Sequence, residues 1–420
     1  MSGLLPKIVD FENIKDAYLE VYESLLKDCK VFSYDVIDGQ QIHQTELDLE
    51  GFLMEVQQEL LEGKKPRLAR SIAIPKKNGK IRKIYMVPVK ERVKCQAIYR
   101  VLQEFLQPNY SKFLYSFRSE RPSYYALRSL RRFYLSNVGR TRGDTATPSI
   151  GRAAYFVLKT DFKDYSDHIN KTILLDKLSA MGVDDETLLL VRQYVEMPFV
   201  RSGDLMSMAT GTMQGIPLIS LFNNIYMSQI DDVVGADVAF YRRVGDDIIA
   251  LDSDRTKLEK AMVYIREQCV RMKILLNEEK TVLQPLEQEF DYLGLGFEKG
   301  RVFIPGKKAQ KMIDQMKLLF PARSRTSLES KIRRIKKIMV INAKGESAFW
   351  RNHIESLNLL TDMKQLQEIS LKLMTVLWAY LGQGYTAKKL TAGRHLLWHS
   401  GLALKSFFEH FKHRLWPHLR

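Results

Sequence analysis

The sequence predicts an α+β fold in which β-hairpins are set between longer helices. Two hairpin signals support the β part, because Asn78-Gly79 and Gly245-Asp246-Asp247 each lie between two strand-like runs. Glycine beside asparagine or aspartate favours such turns, since these residues tolerate positive φ. The α part is predicted by apolar residues at helical spacing, as at 91–106 and 256–272.

Size and charge narrow the class of protein. The chain has 420 residues, 45% of them hydrophobic and only 13 prolines, which is typical of a folded globular protein rather than a disordered one. Its 65 Lys and Arg outnumber 49 Asp and Glu and give a formal charge of +16. An excess of this size favours a polyanionic partner, most commonly nucleic acid, with generic basicity as the alternative.

The cysteines and the hydropathy of the sequence indicate the expected cellular compartment. Cys29, Cys95 and Cys269 lie far apart without metal-binding spacing, so we expect reduced, buried thiols in a cytoplasmic protein. The first residues show no signal-peptide pattern, and no apolar run reaches transmembrane length. We therefore expect no membrane partner.

The first 150 residues are mixed in charge and then strongly basic. Residues 1–65 are predicted to be mostly helical and to serve packing or a partner surface. The hairpin at 66–88 is dense in cations, which suits contact with phosphates, with a solvated edge hairpin as the alternative. Arginines then interleave with aromatic residues around Arg118 and Arg121. This favours nucleic-acid binding, with core aromatics beside a solvated basic face as the alternative.

Carboxylates at two places are candidates for metal chemistry. Asp161 ends the strand-like run at 155–161, where it is either a metal ligand or the N-cap of the next helix. Asp246 and Asp247 are adjacent, so burying both costs energy unless cations compensate. Mg²⁺ suits such a site because it prefers one or two carboxylates together with substrate phosphates. A solvated turn is the alternative for the pair.

Two further segments complete the pattern. Gly211 and Gly215 flank Gln214 before a predicted helix at 219–231, and glycines there let the backbone come close to a ligand at a helix N-terminus. From about residue 300 the chain is predicted to be helical and more basic, with Lys331, Arg333 and Arg334 close together. A basic helical region favours a clamp on a nucleic-acid duplex, with a plain interaction domain as the alternative.

The order of these motifs resembles the reverse transcriptases over roughly residues 66–300. The resemblance is closest to prokaryotic members related to group II intron proteins, retrons and defence-associated enzymes. Each motif alone is weak, but the ordered set is specific. The matching segments are Ile74–Arg82, Lys159–Tyr165, Gly211–Leu218, Asn224–Tyr226, Asp246-Asp247, Leu276–Thr281 and Tyr292–Gly294.

The resemblance implies a right-hand polymerase with an antiparallel-sheet palm backed by helices. By this analogy, residues 1–65 are an N-terminal helical extension and 66–150 the fingers. Residues 151–299 would form the palm, and 300–420 a helical thumb or C-terminal region.

The resemblance also implies the site residues. The catalytic residues would be Asp161, Asp246 and Asp247. The same three, together with Phe162, would hold two Mg²⁺ ions, with Mn²⁺ as the alternative ion. The predicted nucleotide-binding residues are Lys76, Arg82, Ser166, Gln214 and Lys280. The predicted nucleic-acid-binding residues are Arg118, Arg121, Lys331, Arg333 and Arg334.

The sequence departs from the family pattern at three places. The usual Tyr-Ala before the paired aspartates is Val244-Gly245, and the usual Pro and Ser around Gln-Gly are Met213 and Ile216. Five residues after Asp161, the bulky aromatic residue that excludes a ribose 2′-hydroxyl is replaced by Ser166. We hypothesise weakened sugar discrimination, unless Tyr165 takes the place of that aromatic residue.

The predicted function is RNA-directed DNA polymerase, with a role in antiviral defence together with an associated RNA. The expected partners are an RNA template or noncoding RNA, a nucleic-acid or protein primer, and dNTPs, and a homo-oligomer is left open. No endonuclease, RNase H or long maturase-type pattern is found in these residues, which favours defence over intron mobility. The alternatives are an RNA-dependent RNA polymerase, a template-independent nucleotide polymerase and an inactive RNA-binding scaffold.

Overall fold

A computed structural model describes residues 3–27, 42–75, 81–118, 120–138, 154–322, 326–327, 330–331, 334, 357 and 359–381. The chain divides into two compact units, Met1–Ser123 with Phe156–Leu283, and Tyr124–Tyr155 with Gln284–Arg420. Helices and largely antiparallel sheets occur in the described residues, which confirms the predicted α+β class. The division into fingers, palm and thumb segments stays a prediction.

The N-terminal part of the first unit is helical, as predicted. It contains α1 (Leu5–Ile8), α2 (Phe11–Lys27), a 3₁₀ turn (Ile42–Asp48) and α3 (Leu49–Leu61). These helices pack through apolar side chains that are almost fully buried: Ile8, Ile14, Ala17, Leu53, Val56 and Leu60. The packing role expected for this region is therefore present.

The basic hairpin is confirmed as a pair of antiparallel strands. Strand β1 (Ala69–Pro75) pairs with β2 (Ile81–Met86), and Ile72 lies opposite Ile84. Residues 76–80 at its tip lie outside the described residues. The chain continues into α4 (Val89–Leu106) and α5 (Ser123–Asn137).

The middle of the chain supplies one strand to one sheet, two strands to another, and the helices between them. These elements are β3 (Phe156–Thr160), α6 (Tyr165–His168), α7 (Lys171–Ala180), α8 (Asp185–Val195), β4 (Phe199–Arg201) and β5 (Asp204–Met206). Asn170 begins α7 by accepting a hydrogen bond from the Ile173 N–H, and Asp184 does the same for α8 with Thr187. Strands β4 and β5 extend the hairpin into a sheet of order β2-β1-β4-β5.

The sheet that carries the candidate site follows in the chain. The helix predicted at 219–231 is two helices, α9 (Leu218–Tyr226) and α10 (Ser228–Asp237), which break at Met227. Then come β6 (Phe240–Val244), β7 (Asp247–Asp252), α11 (Arg255–Arg271) and β8 (Val282–Pro285). The sheet order is β6-β7-β3-β8, and the β6–β7 and β7–β3 pairs are antiparallel.

The second unit contains a small sheet and two long helices. Strands β9 (Phe290–Tyr292), β10 (Leu295–Glu298) and β11 (Arg301–Phe303) form it in the order β11-β10-β9, and α12 (Gly306–Leu319) and α13 (Met363–Leu381) follow. The predicted strand pair at 290–297 is confirmed. The prediction that the chain is helical from about residue 300 is wrong for β11. The rings of Phe290 and Phe297 stack with centroids 4.9 Å apart and hold this sheet together.

No helix among the described residues is long and apolar enough to cross a membrane.

Candidate active site

The paired aspartates lie on a tight turn at one end of the β6-β7-β3-β8 sheet. Val244 pairs with Asp247, so Gly245 and Asp246 form a two-residue connection between β6 and β7. Gly245 has a φ of 65°, which few other residues adopt without strain. The turn therefore places Asp246 at the tip and Asp247 at the first position of β7.

The register of the neighbouring strand brings Asp161 to the same end of the sheet. Thr160, the last residue of β3, pairs with Ile248. The next residue on β3, Asp161, therefore lies beside Asp247. The alternative role of Asp161 as a helix N-cap is wrong, because α6 begins after Asp164. Two separate chain segments thus bring three aspartates to the same end of the sheet.

The carboxylates interact electrostatically. Burial raises the pKa of Asp246, and the charge of Asp161 raises it further. Burial also raises the pKa of Asp247 to about 6, helped by the charges of Asp246 and Asp161. Burial and mutual repulsion both oppose the ionised carboxylates, so a bound cation would favour their charged forms. The solvated-turn alternative does not fit half-buried carboxylates of this kind.

Lys280 provides part of the missing charge. Its Nζ donates a hydrogen bond to Asp161 Oδ2, and this bond raises the pKa of the Lys280 ammonium. The segment is held there by its backbone, because the Asn277 N–H donates to the Asp161 carbonyl at 3.0 Å. The Lys280 side chain is 62% exposed, so its ammonium is able to exchange partners when other charges arrive.

The residues present fit a magnesium site. Asp161 Oδ1 is buried and has no hydrogen-bond partner among the described residues, so one carboxylate oxygen is left for a cation. No group of three or more His, Cys, Asp or Glu side chains in the described part of the chain forms a ready-made metal cage. Mg²⁺ does not require one, since it commonly uses one or two carboxylates, waters and substrate phosphates. The Phe162 ring is buried and stacks on Tyr165, so only the Phe162 carbonyl is suited to be a ligand.

The loop around Gln214 lies against β2 and the α6 region. The Gln214 carbonyl accepts a hydrogen bond from the Tyr85 N–H at 2.9 Å. A Cβ on Gly211 would lie 2.6 Å from the Asp167 carbonyl oxygen, and one on Gly215 2.6 Å from that of Tyr85. The two glycines therefore let the loop approach the protein backbone, whereas the sequence suggested approach to a ligand. Gln214 itself is half-buried.

Tyr165, the suggested substitute for the aromatic residue that the family has at position 166, is packed in the core. It is 4% exposed, its ring stacks on Phe162 at 5.2 Å, and its hydroxyl donates to the Asn223 carbonyl at 3.0 Å. Ser166 is half-buried, and its carbonyl accepts from the Thr212 N–H at 2.9 Å. The small side chain at position 166 is thus not compensated by its neighbour.

The remaining predicted residues are placed as follows. Lys76, Arg333 and the Arg82 side chain lie outside the described residues. In the second unit, the buried Lys331 ammonium lies 5.6 Å from the Tyr380 ring centroid, and Arg334 Nε donates to the Leu319 carbonyl at 3.1 Å. Arg118 and Arg121 line a cavity in the first unit. Their roles in binding nucleic acid stay predictions.

One residue that supports the site was not predicted from the sequence. Arg243 on β6 is fully buried and binds Asp231 through Nε at 2.8 Å and Nη2 at 2.7 Å. It also donates to the carbonyls of Asn223, Asn224 and Gly245 at 3.2, 2.9 and 3.0 Å. The guanidinium therefore fixes the turn that carries Asp246. The available signal was a charged residue in line with Tyr241 on β6, two residues before the turn glycine.

Comparisons with known proteins agree with this geometry. A family model described as "Reverse transcriptase (RNA-dependent DNA polymerase)" matches residues 74–297, more than half of the chain. Protein YkfC of Escherichia coli (strain K12) is 23% identical over 337 residues, covering 71% of this chain and 84% of that protein. Group II intron-encoded protein LtrA of Lactococcus lactis subsp. cremoris is 23% identical over 373 residues, covering 86% of this chain and 54% of LtrA. The chain thus spans about half the length of LtrA.

Two solved structures of apo telomerase from Candida tropicalis are also similar. One, truncated from the C-terminal domain, has a TM-score of 0.43 and 16% identity, covering 56% of this chain and 55% of that chain. The other has a TM-score of 0.48 and 13% identity, covering 92% of this chain and 79% of that chain. The family match spans every predicted motif from the basic hairpin to β10 and includes all three carboxylates. The chain therefore belongs to the reverse transcriptase family, the RNA-directed DNA polymerases, and has their α+β polymerase fold.

Proposed function

We propose that this chain copies RNA into DNA by two-metal nucleotidyl transfer at Asp161, Asp246 and Asp247. The observation that carries the proposal is the convergence of these carboxylates at the end of one sheet, with raised pKa values for Asp246 and Asp247. Acidic groups that are buried together without enough positive charge are a common feature of functional sites. The family match supplies the reaction class.

The side chains act mainly by position and charge. Asp161, Asp246 and Asp247, with the Phe162 carbonyl, would hold two Mg²⁺ ions, which activate a 3′-hydroxyl and neutralise the triphosphate when bound. Lys280 lies at Asp161, where its ammonium is placed to donate a proton or a hydrogen bond to the leaving pyrophosphate. Lys76 and Arg82 would hold the triphosphate, Gln214 the template–primer and nucleotide, and Ser166 would face the sugar. In-line phosphoryl transfer needs little else from the protein.

The wider role is also a proposal. The expected partners are an RNA template or a noncoding RNA, a nucleic-acid or protein primer, and dNTPs. We place the activity in the cytoplasm and in antiviral defence, and we assign residues 66–150, 151–299 and 300–420 to fingers, palm and thumb. The formal charge of +16 supports a polyanionic partner.

Primer extension on an RNA template tests the reaction. The wild type is expected to extend a DNA primer with dNTPs in Mg²⁺, whereas Asp246→Asn/Asp247→Asn loses extension and keeps its fold by circular dichroism. Asp232→Asn/Asp237→Asn is the matched control, because both are exposed carboxylates on α10 and the charge change is the same. Equal extension by the wild type and the double variant would overturn the proposed site.

A second candidate function is RNA synthesis, which the small Ser166 side chain favours because it leaves room for a 2′-hydroxyl. The same assay with rNTPs decides between the two. Efficient extension with rNTPs, and none with dNTPs, would replace the DNA-polymerase proposal by an RNA-polymerase one.

A further inference from the structure

A cationic cavity lies in the first unit, lined by residues that the proposed active site does not use. Its volume is about 470 Å³, and its lining includes Lys112, Arg118 and Arg121 against the single carboxylate Glu104. Cavities of this size accommodate a nucleotide-sized group. Glu120 lies against Arg118 and offsets one of these cations, and the net positive charge that remains favours an anion. Both arginines are among the predicted nucleic-acid-binding residues, and Lys112 lines the same cavity.

Arg118 is built into the wall of this cavity. Its side chain is only 9% exposed, and its guanidinium lies 5.7 Å from the Tyr110 ring centroid. Nη1 donates to the Ser111 carbonyl at 3.1 Å, and Nη2 lies 3.3 Å from Glu120 Oε1. Nε, however, is buried and has no hydrogen-bond partner within the part of the chain that the structure describes.

The protein therefore does not satisfy all the hydrogen-bond donors of the Arg118 guanidinium. Leaving a buried polar group without a partner costs about 1–3 kcal/mol, and more for a charged group. A phosphate group in the cavity would gain from the charges of Lys112, Arg118 and Arg121, which all line it. Arg121 is held in place because its Nη1 donates to the Lys112 carbonyl at 2.6 Å. The cavity is therefore suited to a phosphate group.

A neighbouring aromatic side chain favours a nucleic acid over a bare anion. Phe117 directly precedes Arg118, is 53% exposed and has a φ of 51°. A bulky residue rarely adopts this left-handed conformation, and such outliers concentrate at functional sites. The Gln103 side-chain amide donates to the Phe117 carbonyl at 3.4 Å and helps to hold it. Exposed rings beside cations are typical platforms for stacking bases of single strands.

We propose that this cavity is a binding subsite for the phosphate backbone of single-stranded RNA, with Phe117 as a stacking platform for a base. The inference rests on the proposed function only in taking RNA as the partner, and it does not involve the carboxylates. A free nucleotide offers the same phosphate chemistry, so the experiment must separate the two sources.

RNA binding by a variant of the cavity tests the proposal. Lys112→Gln/Arg121→Gln is made in the full chain that also carries Asp246→Asn/Asp247→Asn, so that binding is measured without extension. We expect the Kd for a labelled single-stranded RNA of about 12 nucleotides to rise about tenfold, and the slope of log K against log[salt] to fall by about 1.4 for two lost phosphate contacts. Lys260→Gln/Arg271→Gln is the matched control, since both residues are exposed on α11 and the charge change is the same.

Further arms identify the ligand. Phe117→Ala is expected to weaken RNA binding severalfold and to leave inorganic triphosphate binding unchanged. The proposal would be overturned if the cavity and control variants lost RNA affinity equally, or if the cavity variant lost none. If the cavity variant lost dATP binding but kept RNA binding, the assignment to RNA would be wrong and the cavity would be a nucleotide site. These binding measurements do not depend on primer extension. The active-site proposal would fail in a different way, namely if the double aspartate variant extended a primer as well as the wild type does.

Discussion

At the scale of single residues, the position of the paired aspartates depends on Arg243. The Arg243 guanidinium is fully buried, pairs with Asp231 and donates to the Gly245 carbonyl in the turn before Asp246. A buried pair of this kind has a large desolvation cost that good geometry offsets, so its value lies in fixing the local structure. We regard Arg243 as a positioning residue, because it acts on Asp246 through the backbone of the turn.

Arg243→Lys is expected to lower kcat by about 100-fold, because lysine keeps the charge but cannot make the bidentate contact, and small misplacements at an active site have effects of this size. The KM for dNTP should change far less than kcat, since the nucleotide contacts are unaffected. Steady-state primer extension measures both constants.

Arg242→Lys is the control for Arg243→Lys, because Arg242 is the preceding residue on β6 and its side chain lies over the Phe240 ring at 4.4 Å. It should keep near wild-type kcat. A similar kcat for both variants, or a loss for Arg243→Lys that appears only in KM, would contradict the positioning role.

Discrimination between ribose and deoxyribose is also predicted to depend on a single residue, Ser166. Ser166→Phe is expected to raise the ratio of dNTP to rNTP incorporation by about tenfold or more, since a bulky ring builds a clash against the 2′-hydroxyl. Tyr165 is buried and hydrogen-bonded, so it does not already provide this clash. Competition between dNTP and rNTP on one template gives the ratio, and Ser166→Ala should leave it near the wild-type value. A wild-type enzyme that already excludes rNTPs strongly would rule out this hypothesis.

At the scale of elements, the loop around Gln214 depends on the absence of a side chain at Gly215. Gly215 has a φ of 122°, and a Cβ there would lie 2.6 Å from the Tyr85 carbonyl oxygen, which the backbone of β2 holds in place. The loop therefore cannot keep its contact with the basic hairpin if this glycine is replaced.

Gly215→Ala is expected to destabilise the protein by about 2–3 kcal/mol, near the upper end of the range for strained backbone positions, and to abolish most extension. Gly203→Ala is the matched control, because Gly203 has a φ of 97° with nothing within 4 Å of the added Cβ. It should lose only about 1 kcal/mol from φ strain alone. Urea denaturation and primer extension compare the two, and equal losses would show that the close contact with Tyr85 has no role.

Elements that depend on neighbouring residues could be predicted from the sequence, and those that depend on distant partners could not. The hairpins at 69–86 and 240–252 follow from their turn residues, and the strand pattern predicted that Asp161, Asp246 and Asp247 lie at strand ends. The helix break at Met227 could not be predicted, because nothing at this position is a helix breaker. The Arg243–Asp231 pair was equally hidden, since it is defined by packing between β6 and α10.

At the scale of the whole molecule, a buried ionic network joins the N-terminal helices to the rest of the first unit. Glu59 on α3 is 5% exposed at its side chain and accepts from Lys94 of α4 at 2.8 Å and from Lys64 at 2.9 Å. Glu91 is fully buried, lies 2.9 Å from Lys94 Nζ and accepts from the Tyr194 hydroxyl at 3.0 Å. Removing one partner from such a network leaves a buried charge uncompensated, which typically costs about 3–5 kcal/mol.

The network makes the stability of the first unit sensitive to acid. Burial acts to raise the pKa of Glu59, but hydrogen bonds from Lys94 and Lys64 and the charge of Lys90 outweigh it and lower the pKa from 4.5 to about 2. A carboxyl whose pKa is lower in the folded state contributes stability that is complete above its unfolded pKa and is lost as the pH falls toward the folded value. The loss is therefore expected between pH 4.5 and about 2.

Glu59→Gln should destabilise the protein by about 3 kcal/mol at neutral pH, because Lys94 loses its buried counter-charge. Its free energy of unfolding should also fall less steeply than that of the wild type below pH 4.5, since the variant no longer takes up this proton. Urea denaturation over the acid range measures both effects. Glu50→Gln, an exposed carboxylate on the same helix, should follow the wild type at every pH. If Glu59→Gln and Glu50→Gln have the same pH dependence, the buried pairs of Glu59 do not set the acid stability of this unit.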